Sequence, residues 1–245
     1  MILQVKHISK AFGDHHVLDG ASLSLEFGQI SVLMGANGSG KTTLFNIISG
    51  FLKPDAGDVY LNDKLIKSLS PYEIARIGLS RTFQDMRLIS KLSVRENVLL
   101  AFSQQRGEAW WCVCYPNRDE EQHLERRADE ILQTCFIEDV AGSLAGQISY
   151  GQQKLLNLAC CLAGDAPILL LDEPVAGVNP RYRDLLAQVI LGLRASGKAL
   201  LIIEHNQDFI ELVADKILFL NEGKISEYES YKAFRENEIV QNAYV

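Results

Sequence analysis

Gly35-Ala36-Asn37-Gly38-Ser39-Gly40-Lys41-Thr42-Thr43 follows the apolar run Ile30-Ser31-Val32-Leu33-Met34 and precedes a helix-like run from Leu44 to Ser49. Buried strand, glycine-rich loop and helix, in that order, form the context of a phosphate-binding P-loop. Gly35, Gly40, Lys41 and Thr42 satisfy its G-x-x-x-x-G-K-[ST] spacing. Gly35, Gly38 and Gly40 let the backbone bend and bring amide N–H groups up to phosphate oxygens. A helix starting near Lys41 turns its partial positive N-terminus to the same place. Lys41 adds a full charge for the β- and γ-phosphates, and Thr42 offers a hydroxyl to Mg2+. The rival reading, a glycine-rich turn that binds nothing, requires spacing and context to coincide by chance.

The chain around this loop has 245 residues and is 47% hydrophobic, enough for a substantial core in one large domain. A charged fraction of 22% argues against broad disorder. The net charge of −7 argues against nucleic acid as the main partner, because duplex binding is driven by phosphate neutralisation. The N-terminal stretch MILQVKHISK lacks the apolar core of a signal peptide, and no run approaches the ~20 apolar residues of a membrane span. A soluble, cytosolic chain is expected. Cys112, Cys114, Cys135, Cys160 and Cys161 form an odd set without a disulfide-framework spacing and are read as reduced thiols.

Before the P-loop strand, Leu3–Ile8 and Ala21–Glu26 read as antiparallel strands of a small β-layer, with turns at Gly13-Asp14 and Phe27-Gly28. Phe12 lies beside the first turn, as core packing or as a platform for an adenine ring. After the P-loop helix come a short strand Val59–Leu61, a helix Pro71–Ile77 capped by Ser70, and a strand Leu79–Phe83 that ends at Gln84. From Arg87 to about Asp165 the pattern turns helical. Ser93-Val94-Arg95-Glu96 is a capping box opening a helix to about Phe102. Arg118–Phe136 places Leu124, Ala128, Ile131, Leu132 and Cys135 on one side, and Tyr150–Leu162 is a third helix. Both tryptophans, Trp110 and Trp111, fall between the first two helices, packed on that subdomain or offered to a partner. Ile168–Leu171 and Leu200–Ile203 read as buried parallel strands. Helices are expected from Pro180 to about Ser196 and from Gln207 to Val213, then a hairpin Lys216–Leu220 and Lys224–Tyr228 and a short helical tail.

Ligands of open parallel sheets bind at the carboxyl ends of the strands. Four expected strand ends carry polar groups: the P-loop, Gln84, Asp172-Glu173 and His205. Asp172 suits the carboxylate that holds Mg2+. Glu173, one residue on, suits the general base that polarises an attacking water. Gln84 offers an amide oxygen to Mg2+ or to that water, and His205 a hydrogen bond to the γ-phosphate. Singly, a glutamine or histidine at a strand end is structural more often than not. The information lies in the set.

Ile148-Ser149-Tyr150-Gly151-Gln152-Gln153 resembles the L-S-G-G-Q signature of ABC transporter ATPases. With it, the chain resembles the nucleotide-binding subunit of an ABC transporter over essentially its whole length. The resemblance implies an α/β fold: a P-loop NTPase core with a mostly parallel sheet, an N-terminal antiparallel β-layer and a helical subdomain inserted at about residues 87–165 of a single domain, 1–245. It implies ATP and Mg2+ as cofactors. ATP would be held by Asn37, Gly38, Ser39, Gly40, Lys41, Thr42 and Thr43 with Gly35, and by Phe12 as the adenine-stacking aromatic. Mg2+ would be held by Thr42, Gln84 and Asp172. Glu173, His205, Gln84 and Lys41 match the catalytic glutamate, switch histidine, Q-loop and P-loop lysine. The family's signature contacts the γ-phosphate of ATP bound to the other subunit, which assigns that task to Ser149, Gly151 and Gln152. Tyr150 stands where the signature has its first glycine. Asn179, in the D-loop stretch Ala176-Gly177-Val178-Asn179, stands where an Asp is usual.

A narrower resemblance joins Arg81-Thr82-Phe83-Gln84, Arg87-Leu88-Ile89 and Ser93-Val94-Arg95-Glu96-Asn97-Val98 to the ATPases of branched-chain amino acid importers and their urea-importer relatives. It implies a second ATPase subunit, transmembrane permease subunits, an associated solute-binding protein and a place on the cytoplasmic face of a membrane, with no nucleic acid. Three other readings fit the residues less well. A soluble, non-transport ABC ATPase commonly carries two cassettes or a long coiled coil, and this chain has neither. A nucleotide-gated scaffold would not need both Glu173 and His205. A GTPase lacks support because there is no N-K-x-D motif.

Overall fold

The continuous apolar runs become strands, and the capped amphipathic runs become helices. The computed structural model describes residues 2–83, 86–102, 118–237 and 240. In chain order the elements are β1 (Leu3–Phe12), β2 (His15–Leu25), β3 (Ile30–Met34), α1 (Lys41–Ile48), β4 (Ala56–Leu61), β5 (Lys64–Leu65), α2 (Pro71–Arg76), β6 (Leu79–Arg81) and α3 (Val94–Leu100). There follow α4 (Arg118–Thr134), α5 (Tyr150–Ala163), β7 (Ile168–Asp172), α6 (Pro180–Ala195), β8 (Ala199–Ile203), α7 (Gln207–Val213), β9 (Lys216–Asn221), β10 (Lys224–Tyr228) and α8 (Tyr231–Arg235). The chain divides into two compact units, Met1–Arg81 with Ala166–Ala176 and Ile190–Val245, and Thr82–Asp165 with Gly177–Val189.

In the first unit the described residues form two sheets. One is antiparallel, in the order β2-β1-β4-β5; the other runs β10-β9-β3-β8-β7-β6 and is parallel except for β10. Every residue of β3, β7 and β8 is buried, which explains why these strands read as unbroken apolar runs rather than alternating ones. Leu3, Val5 and Leu23 of the antiparallel sheet, Leu44, Phe45 and Ile48 of α1, and Leu170, Leu201 and Leu218 of the parallel sheet share one core. Each such side chain contributes about 1.5–3 kcal/mol by leaving water. That core seats α1 and therefore the loop before it.

Two strands of the antiparallel layer are longer than their apolar patterns. β1 reaches Phe12 and β2 begins at His15, where Leu3–Ile8 and Ala21–Glu26 were expected. Backbone pairing continues through Lys10↔Leu18 and Phe12↔His15, and a ladder needs no apolar alternation to persist. β6 is shorter than the expected Leu79–Phe83. Its pairing with β7 ends at Arg81↔Leu170. Ser70 caps α2 with a full capping box to Glu73, and Pro71 takes the first helical position, as its lack of an N–H allows.

In the second unit α3, α4 and α5 pack together. Ser93 and Glu96 form the capping box of α3. Ala128, Leu132 and Cys135 are buried, with Leu124 and Ile131 half-buried beside them, so the helical stripe lies on the inner face. Asn97 is also buried. Its Oδ1 accepts from Ile89 N at 2.8 Å and its Nδ2 donates to Ser93 O at 2.9 Å, pinning the segment before α3. Trp110, Trp111, Cys112 and Cys114 lie outside the described residues.

Candidate functional site

The order β9-β3-β8-β7 sets the carboxyl ends of the three fully buried strands side by side. Leu33 of β3 pairs with Ile203 of β8, which pairs with Asp172 of β7. The loops that leave these ends therefore emerge together. They are the glycine-rich loop, the turn Glu173–Ala176 and the turn Glu204–Asn206.

The glycine-rich loop is shaped by close approach. A Cβ on Gly35 would lie 2.5 Å from the carbonyl oxygen of Leu220, and Gly40 has φ +104° with Val17 Cγ1 2.8 Å from where a Cβ would stand. Gly40 precedes α1 and no side chain caps that helix, so its first amides are open to an anion. Lys41 folds back over the loop and is almost wholly buried. Its Nζ donates to Gly35 O at 2.7 Å and Ala36 O at 2.9 Å. Burial pulls the ammonium below the ordinary lysine value, offset in part by the carboxylates of Glu173 and Asp172. Ala36, Asn37, Gly38 and Thr42 are exposed around it, while Ser39 and Thr43 are half-buried.

At the end of β7, Asp172 is buried and accepts from Arg81 Nη2. Arg81 Nη1 also donates to Asn46 Oδ1 at 2.8 Å and Ser49 Oγ at 2.9 Å on α1. Its guanidinium lies 5.4 Å from the Phe45 ring centroid. One arginine thus ties α1 to the end of β7. Glu173 follows at φ +48°, a left-handed conformation that non-glycine residues adopt rarely. Its N–H donates to Ile203 O at 3.0 Å. Its Oε1 stands 4.0 Å from His205 Nε2, with the two side chains 28% and 37% exposed. Glu204, just before His205, is buried and accepts from the amides of Val175, His205 and Asn206.

Phe12 is 52% exposed at the tip of β1, with Lys10 Nζ 5.6 Å from its ring centroid. Asp55 holds that lysine at 2.6 Å and also accepts from Ala11 N at 2.8 Å. Lys10, together with that amide, keeps the Asp55 carboxyl below the usual range. Gln84, expected beside the metal, lies outside the described residues.

In the second unit Ser149 is the N-cap of α5. Gln152 N–H donates to Ser149 Oγ, and Gln152 Oε1 accepts from Ser149 N and Oγ, each at 2.9 Å. The Gln152 side chain is thereby engaged within its own helix turn. Gly151 is buried because the ring of Tyr182 occupies the place where a Cβ would stand. Tyr150 is exposed, with Lys154 Nζ 5.8 Å from its ring centroid. Asn179 Oδ1 accepts from Tyr182 N at 3.2 Å, the bond of an N-cap at the start of α6.

Sequence reasoning assigned no role to Arg81, Asn46, Tyr182 or Glu204. Arg81 lay within a quoted stretch, but nothing local shows an arginine turned inward. Glu204 carried a usable signal, an acid that directly continues the apolar run Leu200–Ile203 and so is carried inside.

The family model described as ABC transporter matches residues 18–176. The high-affinity branched-chain amino acid transport ATP-binding protein BraF of Pseudomonas aeruginosa is 33% identical over 248 residues, covering 100% of this chain and 97% of that protein. An ATP-binding cassette of an ABC transporter in its ADP conformation is similar with a TM-score of 0.86 at 32% identity, covering 99% of this chain and 98% of the other. A cassette solved as a dimer in a post-hydrolysis state, bound to ADP and Pi, is similar with a TM-score of 0.77 at 26% identity, covering 93% and 98%. With strand–loop–helix cradle, acidic strand end and signature helix all present, the chain belongs to the ABC transporter family, as an ATP-binding subunit that hydrolyses ATP.

Proposed function

We propose that this ATPase powers import of branched-chain amino acids or a related small polar solute such as urea, from the cytoplasmic face of a membrane. The observation that carries the hydrolytic part is the meeting of Glu173 and His205 at 4.0 Å, after β7 and β8, of which β8 neighbours the strand that leads into the glycine-rich loop. Similarity to a branched-chain amino acid transport protein supports the solute class.

In this reading the amides at the start of α1 and the Lys41 ammonium hold the β- and γ-phosphates, and Phe12 stacks on the adenine. Glu173 takes the proton of the attacking water as general base. His205 donates a hydrogen bond to the γ-phosphate. Thr42 and Asp172 are hard oxygen donors, the chemistry that suits Mg2+, and Gln84 is assigned with them. When bound, the ion neutralises charge on the β- and γ-phosphates.

Ser149 and Gly151 would complete the site of a second cassette, a copy of this chain or a paralogue, and that cassette's signature would complete this one. The similarity to a dimeric cassette supports this arrangement. The helical insertion, about residues 87–165 of the single domain 1–245, would pass closure on to permease subunits, which a solute-binding protein supplies. Among the described residues no helix is long and apolar enough to cross a membrane, so the reading assigns passage to those other subunits.

The test is steady-state ATP hydrolysis against protein concentration, with and without a chelator. Rate rising faster than concentration, abolished by chelation and by Glu173→Gln, is the expected result. Strict proportionality over a wide range, or wild-type turnover in Glu173→Gln, overturns the two-subunit site or the assigned base respectively. Uptake of labelled leucine and of urea by cells lacking the chain tests the solute.

A further inference from the structure

Glu204 is a carboxylate in the interior, 3% exposed, whose hydrogen-bond partners among the described residues are three backbone amides. Oε1 accepts from Val175 N at 2.9 Å, while Oε2 accepts from His205 N at 2.8 Å and Asn206 N at 3.1 Å. The first amide belongs to the turn that carries Glu173, and the other two belong to the turn that carries His205. We propose that Glu204 is a positioning residue for hydrolysis, an acceptor-only brace that ties the Glu173 turn to the His205 turn. The proposal rests on the roles assigned above to Glu173 and His205.

The physical argument has three parts. Burial of a carboxylate is costly unless its oxygens are hydrogen-bonded, and three N–H donors serve both oxygens here. The Glu173 turn needs an external hold. Glu173 sits at φ +48°, a conformation that persists only where its surroundings over-determine it. Glu173 N–H to Ile203 O holds one side of the turn, and Val175 N–H to Glu204 Oε1 holds the other. Finally, the brace cannot be replaced by an amide of the same shape. Both Glu204 oxygens face N–H donors, so a glutamine places its own NH2 against one of them and leaves that donor unpaired.

The test compares Glu204→Gln, Glu204→Asp and Glu173→Gln in the full-length chain. Thermal melting, ADP affinity and steady-state hydrolysis are measured for each. Glu204→Gln is expected to melt cooperatively, to hold ADP within about twofold and KM within about threefold, and to lose kcat by on the order of tenfold to a hundredfold. Glu204→Asp keeps the acceptor-only group with a shorter reach and is expected to recover part of that loss. Added to Glu173→Gln, Glu204→Gln should lower turnover by a smaller factor than it does in the parent chain, since the brace acts in part through the base. An unchanged kcat in Glu204→Gln, alongside a collapse in Glu173→Gln, overturns the brace alone. ADP affinity falling in step with kcat also overturns it, by making Glu204 a general structural residue. Wild-type turnover in Glu173→Gln overturns the parent reading instead. Should Glu204→Gln fail to fold, Glu204→Asp is judged by the same criteria, and wild-type kcat in that variant overturns the proposal.

Discussion

Arg81 Nη2 stands 3.3 Å from Asp172 Oδ2, and the two side chains are 5% and 6% exposed. The guanidinium also grips Asn46 and Ser49 of α1, so the carboxylate proposed to hold the metal is aligned by the helix that follows the phosphate loop. Removing one partner of such a pair leaves the buried carboxylate without its guanidinium, which costs about 3–5 kcal/mol at most where other cations stand near. Arg81→Met should therefore lower the urea-unfolding free energy of the nucleotide-free chain by about 1–3 kcal/mol, with the Lys41 charge still acting on Asp172. Adding Asp172→Asn should restore part of it, because a neutral amide does not need the guanidinium. Equal destabilisation by the single and double variants would count against this account.

Gly151 has no room for a methyl group, since the proximal ring atoms and Cβ of Tyr182 fill it. Gly151→Ala should cost about 1–3 kcal/mol by overpacking. Tyr182→Ala in the same chain should recover a measurable share, whereas independent costs that simply add would show that the two residues do not meet. Chemical denaturation of the parent chain, the two single variants and the double variant completes the cycle.

Cys160 is a free thiol that burial pushes up to about 12 from an ordinary 9.0. The folded chain keeps this proton where the unfolded chain gives it up. The contribution to stability is therefore whole below pH 9.0 and declines as pH rises from 9.0 to about 12. In the native protein at pH 8.5, Cys160 should carry on the order of a thousandfold less thiolate than an exposed cysteine. Mass spectrometry after brief iodoacetamide treatment should find it unlabelled until denaturant is added. Rapid native labelling would refute the assigned burial effect.

Phe12 is exposed, with the Asp55-held Lys10 ammonium 5.6 Å from its ring centroid, and under the proposed reading it stacks on the adenine. Phe12→Ala should weaken ATP binding by about fivefold, the scale of an aromatic stacking contact, and Phe12→Tyr should retain it. Both should melt like the parent chain, since the ring supports little core. Titration with a fluorescent ATP analogue reads the difference.

Much of the fold could be read from short-range signals. The runs Ile30–Met34, Ile168–Leu171 and Leu200–Ile203 announced buried parallel strands because both their faces are covered. Ser70 and Ser93 announced helix starts because a serine cap acts within one turn, whereas the capping box of Ser149 with Gln152 emerged only in the structure. The far ends of β1 and β2 were missed, since their pairing is set by the ladder and not by apolar alternation.

What the sequence by itself determined is the set of local chemistries: the glycine loop with Lys41, the acids at the end of β7, the histidine after β8 and the signature stretch from Ser149. Each is written within a few residues, where spacing and backbone preference act. Only the tertiary structure decided which groups hold them in place. Glu204 reaches a residue 29 positions away, and Arg81 one 91 positions away. Those contacts exist because the strand order brings distant strand ends together, and hydrogen bonds between buried polar groups follow proximity in space.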